Sequence, residues 1–157
     1  MATNTRTLKA TPDAVWSVLA DGWLYPLWVV GASRMREGDD EWPAVGSKLH
    51  HSLGTWPILV NDITEVTEAT PGALLSLAAH ARPTGTAAVT IRLEPVGTDT
   101  RVLIEEDMVS GPASWVPAPL RHLSLSWRNV ETLRRLAYLA ERRAMRSPDV
   151  HAPGSRV

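Results

Sequence analysis

The sequence predicts an α+β domain in which a curved antiparallel sheet wraps around one long C-terminal helix. Three observations lead there. An opening strand and two short helical stretches are followed by six strand-like segments, cut by compact turns such as Thr70-Pro71-Gly72, Pro83-Thr84-Gly85 and Gly97-Thr98-Asp99. A final stretch, from about Pro119 to Arg143, repeats its apolar residues at helical spacing. The sheet has one apolar face, and the amphipathic last helix is the one large element available to cover it.

Thr5 to Ala10 reads as the opening strand. Thr11 and Pro12 then start a helix: the threonine can cap it, and the proline sits where no N–H is needed. Val15, Val18 and Leu19 carry helical spacing, and Asp21-Gly22 stops it. A second short helix is expected from Trp23 to Val29, so that two small helices form a V. The strands are then expected at Val30–Arg36, Ser47–Leu53, Ile58–Thr67, Ala73–Ala81, Thr86–Glu94 and Arg101–Val109. Alternation is clearest in Val89, Ile91, Leu93 and in Val102, Ile104. On the last helix, Leu123, Val130, Leu133, Ala137 and Ala140 are expected to face the sheet. Arg121, Arg128, Glu131, Arg135 and Arg142 are expected to face water, with Glu131 and Arg135 paired at i,i+4. Residues 1–143 thus form one domain, and 144–157, with Pro148, Pro153 and Gly154, read as a disordered tail.

Composition narrows the function. The 157 residues suit a single domain that buries roughly 68–70% of its unfolded surface. A net charge of −1 supplies no field for nucleic acid or an anionic membrane. Without cysteine there is no disulfide framework, thiolate metal site or cysteine nucleophile. No apolar run approaches the ~20 residues of a membrane span, and Met1 to Lys9 lacks a signal-peptide core, so a cytoplasmic location is expected. GxGxxG, P-loop and GxSxG motifs are missing, as is paired metal spacing. Neither a cofactor nor a metal is therefore expected. The seven tryptophans, against two tyrosines and no phenylalanine, suit either ordinary core packing or a cavity lined with flat rings.

Several short motifs look familiar. They are Pro12-Asp13-Ala14-Val15-Trp16 at the first helix, and Trp42-Pro43 with Gly46 ahead of a strand. To these add Leu93-Glu94-Pro95 leading to Thr100-Arg101-Val102, and Arg128-Asn129 followed by Leu133, Leu136 and Glu141. Together, over residues 3 to 143, they resemble the START/Bet v 1-like superfamily, in particular bacterial proteins labelled polyketide cyclase/dehydrase or SRPBCC. The resemblance implies a helix-grip fold and, for function, a range from aromatase/cyclases through lipid and hormone binders to Hsp90 co-chaperones. Its motifs are structural signposts, which speak to fold more than to chemistry.

Among individual residues, His50-His51 stands out. Neighbours on a strand point to opposite faces, so the pair cannot chelate one metal. With Leu49 and Leu53 inward, His51 shares their face while His50 meets water; two merely structural histidines are the plain alternative. Continuing Val102, Ile104 places Glu106 inward too, where a carboxylate needs a partner and could serve as a base; a solvated strand end or a bulge is the alternative. His122, Ser126 and Asn129 lie on or beside the inward stripe of the last helix and could orient a ligand or simply bond to the sheet. Trp23, Trp28, Trp56, Trp115 and Trp127 are candidate walls of a cavity expected to hold several hundred Å3 and at least two tryptophan rings. Three functions fit: a binder or carrier of a small lipid-, polyketide- or isoprenoid-like molecule, a cyclase or dehydratase using His51 or Glu106, and a protein-interaction module. Oligomeric state has no signature in the sequence.

Overall fold

The computed structural model describes residues 1–55, 57–81, 83 and 85–146. Its order is β1 (Ala2–Leu8), α1 (Pro12–Leu19), a 3-10 turn (Gly22–Leu24), α2 (Tyr25–Trp28), then β2 (Ala32–Gly38), β3 (Lys48–Thr55), β4 (Ile58–Thr70), β5 (Leu74–Ala81), β6 (Gly85–Val96) and β7 (Asp99–Ser110). A second 3-10 turn (Pro112–Trp115) leads into the long α3 (Ala118–Arg146). All seven strands form one antiparallel sheet in the order β1-β7-β6-β5-β4-β3-β2. This is the expected α+β helix-grip arrangement. The last helix continues to Arg146, three residues beyond Arg143, and the expected tail from 147 onward lies outside the described residues.

Local chemistry sets the helix ends. Thr11 is extended and its side chain accepts from the Ala14 N–H at 3.3 Å, with Pro12 in the first turn. The Trp42 indole N–H donates at 3.0 Å to the Leu19 carbonyl, satisfying one of the orphan acceptors where α1 ends. The expected second helix is split into the 3-10 turn and one turn of α2. The Asp21 side chain caps the first part and Pro26 sits at the start of the second.

The core is one buried cluster that fills the α1 end of the molecule and runs on to Trp28, Leu77, Ile91 and Ile104. Leu8, Val15, Val18 and Leu19 are buried there with Leu75, Val102, Leu133, Leu136 and Ala140. Each such side chain contributes about 1.5–3 kcal/mol for full burial if aliphatic and large. Polar ties lock α3 to the rest of this end. Arg143 donates to the Ser17 carbonyl at 2.6 Å and the Lys9 N–H to Glu141 Oε1 at 2.9 Å, while the Thr100 hydroxyl, donating to the Ala10 carbonyl at 2.7 Å, ties β7 to the link between β1 and α1.

One expectation about α3 is corrected. Its buried residues are Leu125, Asn129, Thr132, Leu133, Leu136, Ala137 and Ala140. Leu123 and Val130, assigned to the inner face, are 70% and 53% exposed. At 3.6 residues per turn the buried arc is rotated by roughly 70° from the expected one. The rotation also brings Arg128, assigned to the water side, round to the sheet.

At the opposite end Gly85 opens β6 with φ +125°, and an added Cβ would stand 1.9 Å from the Ser110 carbonyl oxygen. Only glycine permits that approach. It allows the start of β6 to lie directly on the end of β7, next to the register shift at Thr86/Ala87.

Candidate functional site

Between α2, the first half of α3 and the inner face of β3 to β7 lies a cavity of about 180 Å3. Its carbon wall comes from Leu53 on β3, Leu77 and Ala79 on β5, Ala87, Val89 and Ile91 on β6, and Ile104 and Met108 on β7. Trp28 closes it from α2, with Val29 and Val30 beside it, and Thr132 does so from α3. The cavity is smaller than the several hundred Å3 expected, and among the described residues it holds one tryptophan ring, not two. The reason is visible in the packing: Trp42 is spent in the core, while Trp23, Trp115 and Trp127 are 67%, 83% and 70% exposed.

Two polar groups of side chains enter this wall. In the first, strand parity brings His51 of β3 directly opposite Asp62 of β4 in the register, and both are buried. His51 Nε2 lies 2.9 Å from the Thr64 hydroxyl, which lies 3.0 Å from the Tyr25 hydroxyl. Asp62 Oδ2 is 3.7 Å from the same Nε2, too far for a hydrogen bond, while Asp62 Oδ1 accepts the Ile63 N–H at 2.7 Å. Thr64 is thus the hub of a chain from the Tyr25 phenol to the His51 imidazole. The Tyr25 ring stacks obliquely on His51 at 4.9 Å and meets Trp28 edge-on at 5.1 Å.

Burial governs the charges here. It pushes the His51 imidazole down to about 4, helped by the nearby positive groups of Arg36 and His50. It raises the Asp62 carboxyl above its ordinary value, and raises the Tyr25 phenol to about 12. All three shifts favour the neutral form, and at pH 7 His51 is an uncharged imidazole.

The second group is Glu106 on β7 with Arg128 on α3. The carboxylate is 2% exposed and accepts a hydrogen bond from the guanidinium, which reaches over the cavity from the helix. Burial lowers the arginine from its ordinary value, but the neighbouring carboxylate gives the charge its counterpart.

Three buried polar atoms on cavity-lining side chains have no partner among the described residues: Trp28 Nε1, Asn129 Nδ2 and His51 Nδ1. Of the residues singled out from sequence, the structure therefore brings Trp28, His51, Glu106 and Asn129 to one cavity. Trp23 lies against an outer cleft near Asp39, Asp40 and Arg143, and Trp115 and Trp127 face outward. His122 takes a hydrogen bond at 3.0 Å from the Met1 amino group, and Ser126 is half-buried beside the helix; neither lines the cavity. Trp56 lies outside the described residues. Tyr25, Asp62, Thr64, Arg128 and Thr132 join the site unannounced. For Asp62 and Thr64 a signal existed, since they share parity with Val66, which is buried.

The comparisons with known proteins agree with this architecture. The family described as polyketide cyclase / dehydrase and lipid transport matches residues 2–141. The chain belongs to that family. No curated protein sequence matches it. Among solved structures it resembles the ZhuI aromatase/cyclase from a Streptomyces species, at TM-score 0.69 and 20% identity, covering 99% of this chain and 98% of that one. It also resembles a conserved protein from Geobacillus kaustophilus, at TM-score 0.71 and 15% identity, covering 89% and 94%. Ara h 8.0201 is similar at TM-score 0.68 and 8% identity, covering 88% and 95%. At such identities the likeness speaks to the fold alone. No helix among the described residues is long and apolar enough to cross a membrane.

Proposed function

We propose that this family member binds a small, chiefly apolar molecule in the cavity between α3 and the sheet. The observation that carries the reading is the wall itself: carbon over most of its extent, with buried polar atoms whose hydrogen bonds the protein does not complete. A cavity with no ligand role would more readily close around such atoms, because leaving a buried donor unmade costs about 1–3 kcal/mol. Native mass spectrometry of the purified protein, together with titration of Trp fluorescence by apolar probes, tests the reading. A co-purified or saturably bound small molecule supports it; an invariant mass and an unresponsive spectrum refute it.

A second reading, acid–base chemistry on the bound molecule, is favoured by one observation. His51 is neutral at pH 7 and its Nδ1 has no side-chain partner among the described residues. If Nε2–H donates to Thr64, and Thr64 in turn to the Tyr25 oxygen, Nδ1 carries the lone pair. Nδ1 can then take a proton from the carbon beside a ligand carbonyl, the C–H electrons moving to form an enolate that the cavity's N–H donors stabilise. Such a step suits the cyclase/dehydrase chemistry in the family's description. His51→Gln should then abolish turnover of a polyketide-type ketone while leaving its binding within about threefold. Unchanged turnover in that variant removes the enzymatic reading and leaves the carrier.

A further inference from the structure

We infer that the cavity is shaped for an uncharged molecule of one or two fused rings that carries at least one oxygen acceptor, and not for an extended acyl chain or an ionised ligand. The inference rests on the binding function proposed above and narrows its ligand.

Size comes first. The cavity measures about 180 Å3, and an apolar cavity of about 150 Å3 is known to hold one benzene. The volume here therefore suits a molecule between one ring and two fused rings, roughly ten non-hydrogen atoms. A long acyl chain exceeds it. The space cannot extend toward the α1 end, because Leu133, Leu136 and Ala140 fill that end with the buried core. Flat neighbours also favour a ring: Tyr25, Trp28 and His51 stand together at centroid separations of 5.1 and 4.9 Å.

Hydrogen-bond chemistry comes second. Trp28 and Asn129 are 2% and 3% exposed, lie on different helices and both line the cavity. Trp28 Nε1 and Asn129 Nδ2 have no partner among the described residues. An indole nitrogen donates and cannot accept, so the group that completes it must be an acceptor. A carbonyl or ether oxygen suits the Trp28 N–H on α2, and an oxygen acceptor likewise suits the Asn129 amide on α3.

Charge comes third. An anion would meet two buried carboxylates, Asp62 and Glu106, while the one guanidinium in the wall among the described residues, that of Arg128, is already held by Glu106. A cation would have to leave water for a surface that is mostly carbon, where Glu106 is already paired with Arg128 and burial holds the Asp62 carboxyl toward its neutral form. A neutral ligand avoids both costs.

Calorimetric titration of the full-length chain with five probes tests this: α-tetralone, its deoxygenated counterpart tetralin, 1-naphthoate, 1-naphthylmethylammonium and 1-decanol. The expected order places α-tetralone first, about tenfold tighter than tetralin. The two ions and the chain alcohol should bind weaker than tetralin. Trp28→Phe and Asn129→Leu should each weaken α-tetralone about fivefold and leave tetralin within twofold. The ranking in the unmodified protein decides the matter even where a variant does not fold. Tightest binding of 1-decanol, 1-naphthoate or the ammonium overturns the inference and leaves the binding function standing. So does equal affinity for tetralone and tetralin. If no probe binds, the inference is overturned, and whether a co-purified molecule is present decides the binding function separately.

Discussion

Lowering the pH should destabilise the fold through His51 before any other group explains the loss. The unfolded imidazole titrates near 6.5, whereas burial holds the folded one down at about 4. Between those values the unfolded chain takes up a proton that the folded chain refuses, so stability falls as pH falls. At about 1.4 kcal/mol for each pH unit of separation, the loss reaches about 3 kcal/mol by pH 4. Asp62 works in the opposite sense. Its folded carboxyl is raised, so on acidification it is protonated in the folded state first and returns some stability. The two contributions separate in a comparison of wild type with His51→Gln, which retains Asp62. Urea unfolding at pH 7, 6, 5 and 4 should show the wild type losing about 3 kcal/mol relative to the variant across that range. Parallel curves for the two proteins would refute the placement of His51 as a buried neutral imidazole.

Other perturbations follow from the same geometry. Thr64→Val removes the hub between His51 and Tyr25 and should cost about 2–3 kcal/mol in chemical unfolding, because two buried polar atoms lose a partner together. Arg128→Met leaves Glu106 alone in the wall and should cost about 3 kcal/mol, largely recovered in the double variant with Glu106→Gln; a double-mutant cycle by urea melts reads the coupling. Leu136→Ala should cost about 2–5 kcal/mol while Leu123→Ser stays within about 0.5, since one is buried and the other 70% exposed. Above pH 10 the raised Tyr25 phenol should withdraw stability as the unfolded tyrosine ionises first, a loss visible by thermal melts up to about pH 12.

Strand arithmetic made much of this molecule readable. Period-two alternation through Leu49, His51 and Leu53, and through Val102, Ile104 and Glu106, pointed His51 and Glu106 to the same face, and both line the cavity. The order of elements followed from turn residues, because glycine and proline mark chain reversals whatever the tertiary context. The helix was harder. Apolar residues surround α3 on more than one side, with Leu120, Leu123, Trp127 and Val130 all exposed, so periodicity allowed a rotated face and hid Arg128 among the surface arginines. On β4 the apolar residues fall on both parities, Leu59 and Ile63 on one and Val60 and Val66 on the other, which concealed Asp62 and Thr64. Tyr25 sits in a single helical turn, too short to carry any period. Tryptophan count misled for a simpler reason: a large ring serves a core or a surface as readily as a ligand wall.

The helix α3 does two jobs along its length, and a single substitution can set them against each other. Its second half closes the core through Leu133, Leu136 and Ala140, while its first half stands over the cavity with Arg128 and Asn129. The cavity's floor is kept open by the short side chains of Ala79 and Ala87, register partners on β5 and β6 that both line it. Replacing Ala87 by leucine places extra carbon into the cavity, where the backbone is already extended and needs no change. Burying those methylenes is worth about 0.8 kcal/mol each. After the side-chain entropy is deducted, the gain should be about 1–2 kcal/mol, read as a higher urea midpoint at unchanged slope. The same carbon would occupy part of a space of about 180 Å3 and should lower affinity for a two-ring ligand more than tenfold. A stabilised protein that no longer binds is what a cavity kept open for a ligand requires. A variant that is destabilised, or that binds as before, would show instead that the wall is already closed around its polar atoms and that the ligand belongs elsewhere.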